Sequence, residues 1–223
     1  MKLGSPRIHH RRTGSTNADA RTLAAAGAPH GTLVTAGEQT EGRGRDGRSW
    51  FAPPGSALLC SLVLRDVPPL VPLRAGVAVA EVLASEAMLK WPNDILIDGR
   101  KVSGILVESR PRESWAVVGI GINVAVPLAE LPDELRETAG TLGLDVGAVE
   151  PLLERLLDAL DGWLGRPQRD VLNAWRRRDA LIDAAVHWAD GDGVARGIDE
   201  EGRLLVETGD ATLALSAGEV HIS

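Results

Sequence analysis

Between Glu41 and Trp50 the chain reads EGRGRDGRSW, setting Arg43, Arg45 and Arg48 among Gly42, Gly44 and Gly47. Glycine permits positive φ and close approach of backbone to a ligand. Guanidinium groups are planar donor forks suited to carboxylate and phosphate oxygens. Between positions 43 and 48 three arginines against Asp46 leave a locally positive loop, so it is expected to take an anionic ligand and to be ordered by it. The spacing Gly42-x-Gly44-x-x-Gly47 meets the count of a dinucleotide fingerprint, but charged residues fill the gaps and Trp50-Phe51-x-Pro53-Pro54 follows. No helix opens at that turn, which rules the dinucleotide reading out.

A second candidate is KWPND at 90–94, where Pro92 stiffens the backbone and Asn93-Asp94 can form local side-chain turns. Of the 24 basic residues only Lys2, Lys90 and Lys101 are lysine. A chain that otherwise writes arginine needs a reason for two lysines within twelve residues of each other. A compact ammonium suits a point-charge contact with a phosphate or a developing oxyanion. The alternative is a pair of solvated lysines, and the scarcity of lysine weighs against it.

These segments need a frame. At 223 residues the chain can bury one sizeable core with a small appendage. Its formal charge of −7 argues against broad, sequence-independent binding to nucleic acid or anionic membrane. Cys60 is the only cysteine and sits in an apolar run, which reads as a buried small hydrophobe. The start, MKLGSPRIHHRR, has no secretory h-region, and no apolar run reaches membrane-spanning length. A cytoplasmic enzyme or binding protein is expected, with His9-His10 in a flexible start and without a role.

Ser15-Thr16-Asn17 before an alanine-rich stretch ending at Gly27 predicts a capped helix. GTLVTAGEQ (31–39) predicts a strand into the arginine loop, and GSALLCSLVL (55–64) another. Apolar spacing over 72–88 predicts a core helix. Asp98-Gly99 between β-rich segments predicts a two-residue hairpin, and WAVVGIGINVAV (115–126) a central strand. Residues 130–147 read as loop with one helical turn, followed by helices from Pro151 to about Leu164 and over 168–178. Beyond Ile182, short apolar runs alternate with turn signals, predicting a small β-barrel that packs on the main domain. The boundary is expected at 178/179, giving a catalytic domain over 1–178 and a small domain over 179–223.

STN (15–17), EQTEGRGRDGRSW (38–50), KWPNDILIDGRKVSGILVE (90–108) and GIGINV (119–124) together resemble the biotin protein ligases, in order and character, from about residue 8 to the C-terminus. The resemblance implies an α+β fold: a mixed sheet flanked by helices, of the class II synthetase-like biotin/lipoate ligase type, plus a C-terminal SH3-like barrel. It implies activation of biotin by ATP and Mg²⁺ to biotinyl-5′-AMP, then transfer to a lysine of a biotin carboxyl carrier domain of a biotin-dependent carboxylase.

By the same resemblance Ser15, Thr16, Asn17 and Gln39 would meet the ureido ring, while Arg43, Gly44 and Arg45 would close over biotin and its adenylate. Arg45 would retain the mixed anhydride and Lys101 would act between the carboxylate and the α-phosphate. Arg48, Lys90, Asn93 and Asp94 would serve the phosphates, with no metal ligand assigned among them. Trp50 would line the nucleotide side or anchor the loop, and Asn123 would meet adenine. Ser15–Asn17 also fit a plain helix cap, Gln39 a solvated strand end and Asn123 a turn. One departure is that Val124 to Gly162 holds no aromatic residue, so an adenine lid must be aliphatic or come from elsewhere. The motifs start by Ser15, which leaves no room for a winged helix-turn-helix. A monofunctional ligase, monomer or homodimer, is expected without DNA or membrane binding.

Two other classes fit the residues less well. A lipoate or octanoyl ligase would share the fold but lack GRGRxGR-x-W and KWPND in this form. An RNA-binding module built on the RG loop fits poorly with the acidic net charge and one tryptophan beside the loop.

Overall fold

The computed structural model describes residues 2–83, 85–209 and 211–222. In chain order the elements begin with β1 (Arg7–His10), α1 (Thr16–Ala25), β2 (Leu33–Ala36), β3 (Ala57–Arg65) and α2 (Val71–Leu83). There follow β4 (Met88–Lys90), β5 (Asp94–Ile97), β6 (Arg100–Arg110), β7 (Trp115–Asn123) and the single-turn α3 (Asp133–Arg136). The chain ends with α4 (Val149–Gly165), α5 (Gln168–Arg176), β8 (Ala185–Trp188), β9 (Gly191–Ile198), β10 (Leu204–Thr208), β11 (Ala211–Leu215) and β12 (His221–Ile222).

The first seven strands form one mixed sheet in the order β1-β2-β3-β7-β6-β5-β4. Of the described strand pairs in this sheet β1 and β2 alone run parallel, and α1 is the crossover that parallel neighbours require. Asp98 and Gly99 turn β5 into β6 with φ of 50° and 73°, the two positive values of a type I′ hairpin. β7 lies between β3 and β6 and is buried on both faces along most of its length, which explains its unbroken apolar run.

The sheet is two-faced because side chains alternate along each strand. Leu58, Leu62, Leu64, Val118, Ile120 and Ile122 face the main core with α2, α4 and α5. Val63, Val117 and Trp115 face α1 instead, with Ala20 and Ala24. Beyond α1 that second face stays open, and the cavity described below lies there. Arg74 of α2 is buried without a carboxylate partner among the described residues. Its guanidinium donates to the carbonyls of Pro69, Trp163, Leu164 and Arg166, satisfying the end of α4. Burial holds it below the usual arginine range.

The five C-terminal strands form an antiparallel sheet in the order β11-β10-β9-β8-β12. Its apolar face, including Val186, Ala195, Leu204, Val206 and Val220, joins the main core. Trp91 Nε1 donates to Gly202 O at 3.0 Å, a direct tie between KWPND and the C-terminal strands.

Two expectations are corrected. His9 and His10 are not a flexible start: they lie in β1, and His9 Nδ1 is 3.0 Å from Thr35 Oγ1. The helix read over 72–88 ends at Leu83, and Met88 begins β4. There Leu89 bonds the backbones of Arg178 and Ala180 at 2.6 and 2.9 Å, so long-range pairing overrides local helical spacing.

Candidate active site

On the open face of the sheet lies a cavity of about 550 Å³. Residues from α1, the arginine loop, β3–β7, the 131–139 segment and β12 line it. At one end are Ser15, Thr16, Asn17 and Gln39. Ser15 occupies the N-cap position of α1, yet its hydroxyl makes no capping hydrogen bond and lies in the cavity wall instead. Gln39 Oε1 accepts the Thr16 N–H at 2.7 Å, which leaves its amide nitrogen as the group available to a ligand. Asn17 is filled from within: Nδ2 donates to Glu108 and to Leu106 O, and Oδ1 accepts from Ser61 at 2.6 Å.

The arginine loop has a frame of its own. Gly44 N donates to Arg48 O at 2.7 Å and Trp50 N to Gly42 O at 2.9 Å, around a 3₁₀ turn at Arg45–Gly47. Asp46 takes φ 53° there. This places Arg43, Gly44, Arg45 and Arg48 on the cavity. Arg45 reaches toward Asn93 Oδ1, and Arg48 pairs with Glu219 of the C-terminal region.

Lys90, Asn93, Asp94 and Lys101 converge from β4, the β4–β5 turn and the β5–β6 hairpin. Lys101 Nζ stands 2.7 Å from Asp94 Oδ1 as an ion pair whose angle is not that of a hydrogen bond. Lys90 has no such partner among the described residues. Burial above all, with Lys101 and Arg48 nearby, draws its ammonium below the usual lysine range, against the opposing pull of Asp94 and Glu219.

Trp50 lies on a bare patch of sheet. Gly104 and Gly121 face each other across β6 and β7, and a Cβ on Gly121 would come within 2.6 Å of Trp50 Cε2. Its ring lies 5.9 Å from Lys101 Nζ and packs against the buried cluster of Ala52, Ala57, Leu59, Val126 and Leu131, against which Leu135 and Ala139 also pack. The aliphatic Leu131, Leu135 and Ala139 face the cavity from the segment that lacks an aromatic. Asn123 Nδ2 donates to Gly140 O at 2.8 Å, so Oδ1, buried and unpartnered among the described residues, remains as an acceptor.

The cavity thus gathers every site residue proposed from the sequence. Sequence reasoning missed Glu219, His221 and Ile222, which enter from the far end of the chain, and Phe51 at the rim. The acidic residue and turn signal at 218–219 were visible, but nothing local tied them to the loop. Among the described residues no group of three or more His, Cys, Asp or Glu could hold a metal ion by itself. Cys60 touches the cavity, but burial pushes its thiol up to about 12, so it is not a nucleophile.

A model of the Biotin/lipoate A/B protein ligase family matches residues 10–124, more than half of the chain, and a Biotin protein ligase C terminal domain model matches 192–222. The chain belongs to the biotin protein ligase family. Among its relatives, the biotin–[acetyl-CoA-carboxylase] ligase of Mycobacterium tuberculosis is 36% identical, over 93% of this chain and 85% of that protein. The bifunctional ligase/repressor BirA of Bacillus subtilis is 33% identical, over 99% of this chain and 75% of that protein. Among solved structures, the biotin protein ligase from Aquifex aeolicus in complex with biotin and ATP superposes with a TM-score of 0.82. It is 28% identical, with 98% of this chain and 100% of that chain covered. The two family matches fall on both sides of the cavity: the first contains the loop, KWPND and GIGIN, and the second contains Glu219 and His221. As a biotin protein ligase family member, the chain has the expected mixed sheet and small C-terminal antiparallel sheet.

Proposed function

We propose that the chain activates biotin with ATP and transfers it to a lysine of a biotin carboxyl carrier domain. One observation carries this reading: a single cavity joins a neutral hydrogen-bonding end to a cluster of cations beside an unpartnered amide acceptor. A cyclic urea suits the first, a carboxylate meeting a triphosphate suits the second, and the exocyclic amino group of adenine suits Asn123 Oδ1.

In this reading Ser15, Thr16 and the Gln39 amide hold the ureido ring, with Arg43 and Gly44 closing over it. The carboxylate then lies near Lys101. Two unit anions at ~4 Å repel by about 4 kcal/mol at an effective dielectric near 20. Lys101 and Arg45 offset that repulsion as a carboxylate oxygen attacks the α-phosphorus and the bond to the β-phosphate oxygen breaks, releasing pyrophosphate. Arg48 and Lys90 face the departing phosphates, and Trp50 with the aliphatic segment encloses adenine. Mg²⁺ would arrive on the phosphates. Of the carboxylates lining the cavity, Asp94 stands beside Lys101 and would meet an ion that keeps most of its waters. In the second step a carrier amine attacks the acyl carbonyl and AMP leaves, its place taken by the new amide bond. Residues 1–178 would form the catalytic unit and 179–223 a smaller one that supplies Glu219 to its rim, the whole working in the cytoplasm.

The test is pyrophosphate release that requires both ATP and biotin, followed by a mass increase of one biotin on a carrier domain. No release with both substrates and Mg²⁺ present would sink the proposal.

A further inference from the structure

The polar end of the cavity has a fixed hydrogen-bond polarity, and it is imposed from outside the cavity. Glu108 on β6 accepts from Arg21 of α1 at 2.8 Å and from Asn17 Nδ2 at 3.0 Å. A carboxylate accepts and does not donate. It therefore holds the Asn17 amide with its NH₂ toward β6, where Leu106 O lies at 3.4 Å, and with Oδ1 turned toward β3. Gly119 supplies the room, since a Cβ there would come within 2.1 Å of Oδ1.

On β3, the fully buried Ser61 hydroxyl lies 2.6 Å from Asn17 Oδ1 and 2.8 Å from Thr16 Oγ1. A hydroxyl carries one proton. Asn17 Oδ1 has none to give, so the Ser61 proton goes to it. Ser61 then offers Thr16 only a lone pair. The other neighbour of Thr16, Gln39 Oε1 at 3.0 Å, is also an acceptor, fixed in that sense by the Thr16 N–H. The Thr16 proton is thus committed to the protein whichever neighbour takes it. What Thr16 can offer a ligand is a lone pair.

We infer that Glu108, oriented by Arg21, is a positioning residue: it sets the direction of the Asn17–Ser61–Thr16 chain and makes Thr16 Oγ1 an acceptor for a ring N–H of the substrate. This rests on the biotin reading above and adds a specificity device to it. A cyclic urea offers N–H at that point; a cyclic carbamate, with ring oxygen in place of one N–H, would set acceptor against acceptor. Glu108→Gln removes the constraint. Glutamine can present either oxygen or NH₂, so Asn17 can turn over and Ser61 can donate to Thr16; Gln39 Oε1 is then the one acceptor of the two left to the Thr16 proton, and a ligand oxygen can compete with it.

The experiment compares biotin with its two carbamate isomers in ATP-dependent pyrophosphate release, for the wild-type chain, Glu108→Gln and Ser61→Ala. The wild type should favour biotin strongly over one isomer. In Glu108→Gln that preference should narrow by about tenfold, the factor one hydrogen bond of about 1.4 kcal/mol carries. The loss for biotin should fall mainly on KM. Ser61→Ala, which breaks the chain at its middle with a change of one hydroxyl, should give the same narrowing. An unchanged preference in both variants, even with a raised KM, would mean that Glu108 only props the helix and would overturn the inference. So would a wild type that accepts both isomers as readily as biotin. A wild type with no biotin-dependent release would instead refute the proposed function, before any variant is compared.

Discussion

The seat of Trp50 permits a sharp test, because two facing glycines leave no slack beneath the indole. In Gly121→Ala a methyl group would be placed 2.6 Å from Trp50 Cε2, 2.8 Å from Cζ2 and 3.0 Å from Nε1. All three are rigid ring atoms, so the neighbour cannot yield by a torsion at its tip. β7 cannot yield either, being paired along its length with β3 and β6. The ring must therefore lift off the sheet into the cavity, which Leu131, Leu135 and Ala139 also line and where the proposed function puts adenine. Overpacking of this kind costs about 1–3 kcal/mol. Charged to nucleotide binding, that is roughly a 5- to 150-fold rise in KM for ATP. The KM for biotin should move far less. Initial rates of pyrophosphate release, titrated in each substrate, give both numbers. Trp50→Ala supplies the control: with the indole gone, Gly121→Ala should add little, so the pair should be strongly non-additive. A folded Gly121→Ala enzyme with an unchanged KM for ATP, or additive effects in the double variant, would refute the assignment of Trp50 to the nucleotide wall.

Four further outcomes follow from the same geometry. Lys101→Met should lower kcat/KM for pyrophosphate release by about 10- to 150-fold, the worth of one charge-assisted contact of ~1.5–3 kcal/mol. Arg74→Leu should leave the carbonyls at the end of α4 unsatisfied and cost about 3 kcal/mol in a denaturant melt; a loss within error would show that water replaces the guanidinium. Asp179 is buried with Oδ2 unpartnered among the described residues, and burial raises its carboxyl above the usual aspartate range. The folded state then holds that proton more tightly than the unfolded one, so stability should fall as pH rises from the ordinary aspartate range through the raised value. Asp179→Asn should lack this slope in urea melts across that window. Amide exchange over residues 43–50 should slow when biotin and ATP are added together; equal exchange with and without them would separate the loop from ligand binding.

Much of this was legible because some residues have few uses. Asp98-Gly99 permits the positive φ pair of a tight hairpin, and both values are there. The run WAVVGIGIN reads as a strand buried on both sides, and it is the centre of the sheet. The arginine loop, KWPND and Asn123 carry chemistry in their residue types, and the fold brings them to one cavity. What escaped was set by distance in sequence. RIHH has no apolar alternation, and becomes a strand only because α1 returns β2 beside it. Leu89 leaves a helical pattern because the backbone at 178–180 offers it a ladder. Glu219 meets Arg48 across 171 positions, and no local pattern encodes such a contact. The resemblance makes Asn17 a ligand contact, and no local pattern shows that this residue of the cavity wall also bonds Glu108, Leu106 and Ser61 through its amide.

The cations of the cavity pose a problem that the structure answers. Arg43, Arg45, Arg48, Lys90 and Lys101 share one small space, and like charges so placed oppose folding. Two of them are held by carboxylates from elsewhere in the chain, Lys101 by Asp94 and Arg48 by Glu219. Anion binding at the cluster is then an exchange of partners rather than the filling of a bare positive site. Such an exchange discriminates. A ligand with a single weak negative charge gains little by displacing a carboxylate already in place, while a triphosphate offers several oxygens to each cation at once. On the proposed function, Asp94 released by Lys101 would be free to meet a cation carried by those phosphates. Lys90 has no paired carboxylate among the described residues and is held below the usual lysine range by burial above all, so an arriving anion supplies it with a partner without displacing one.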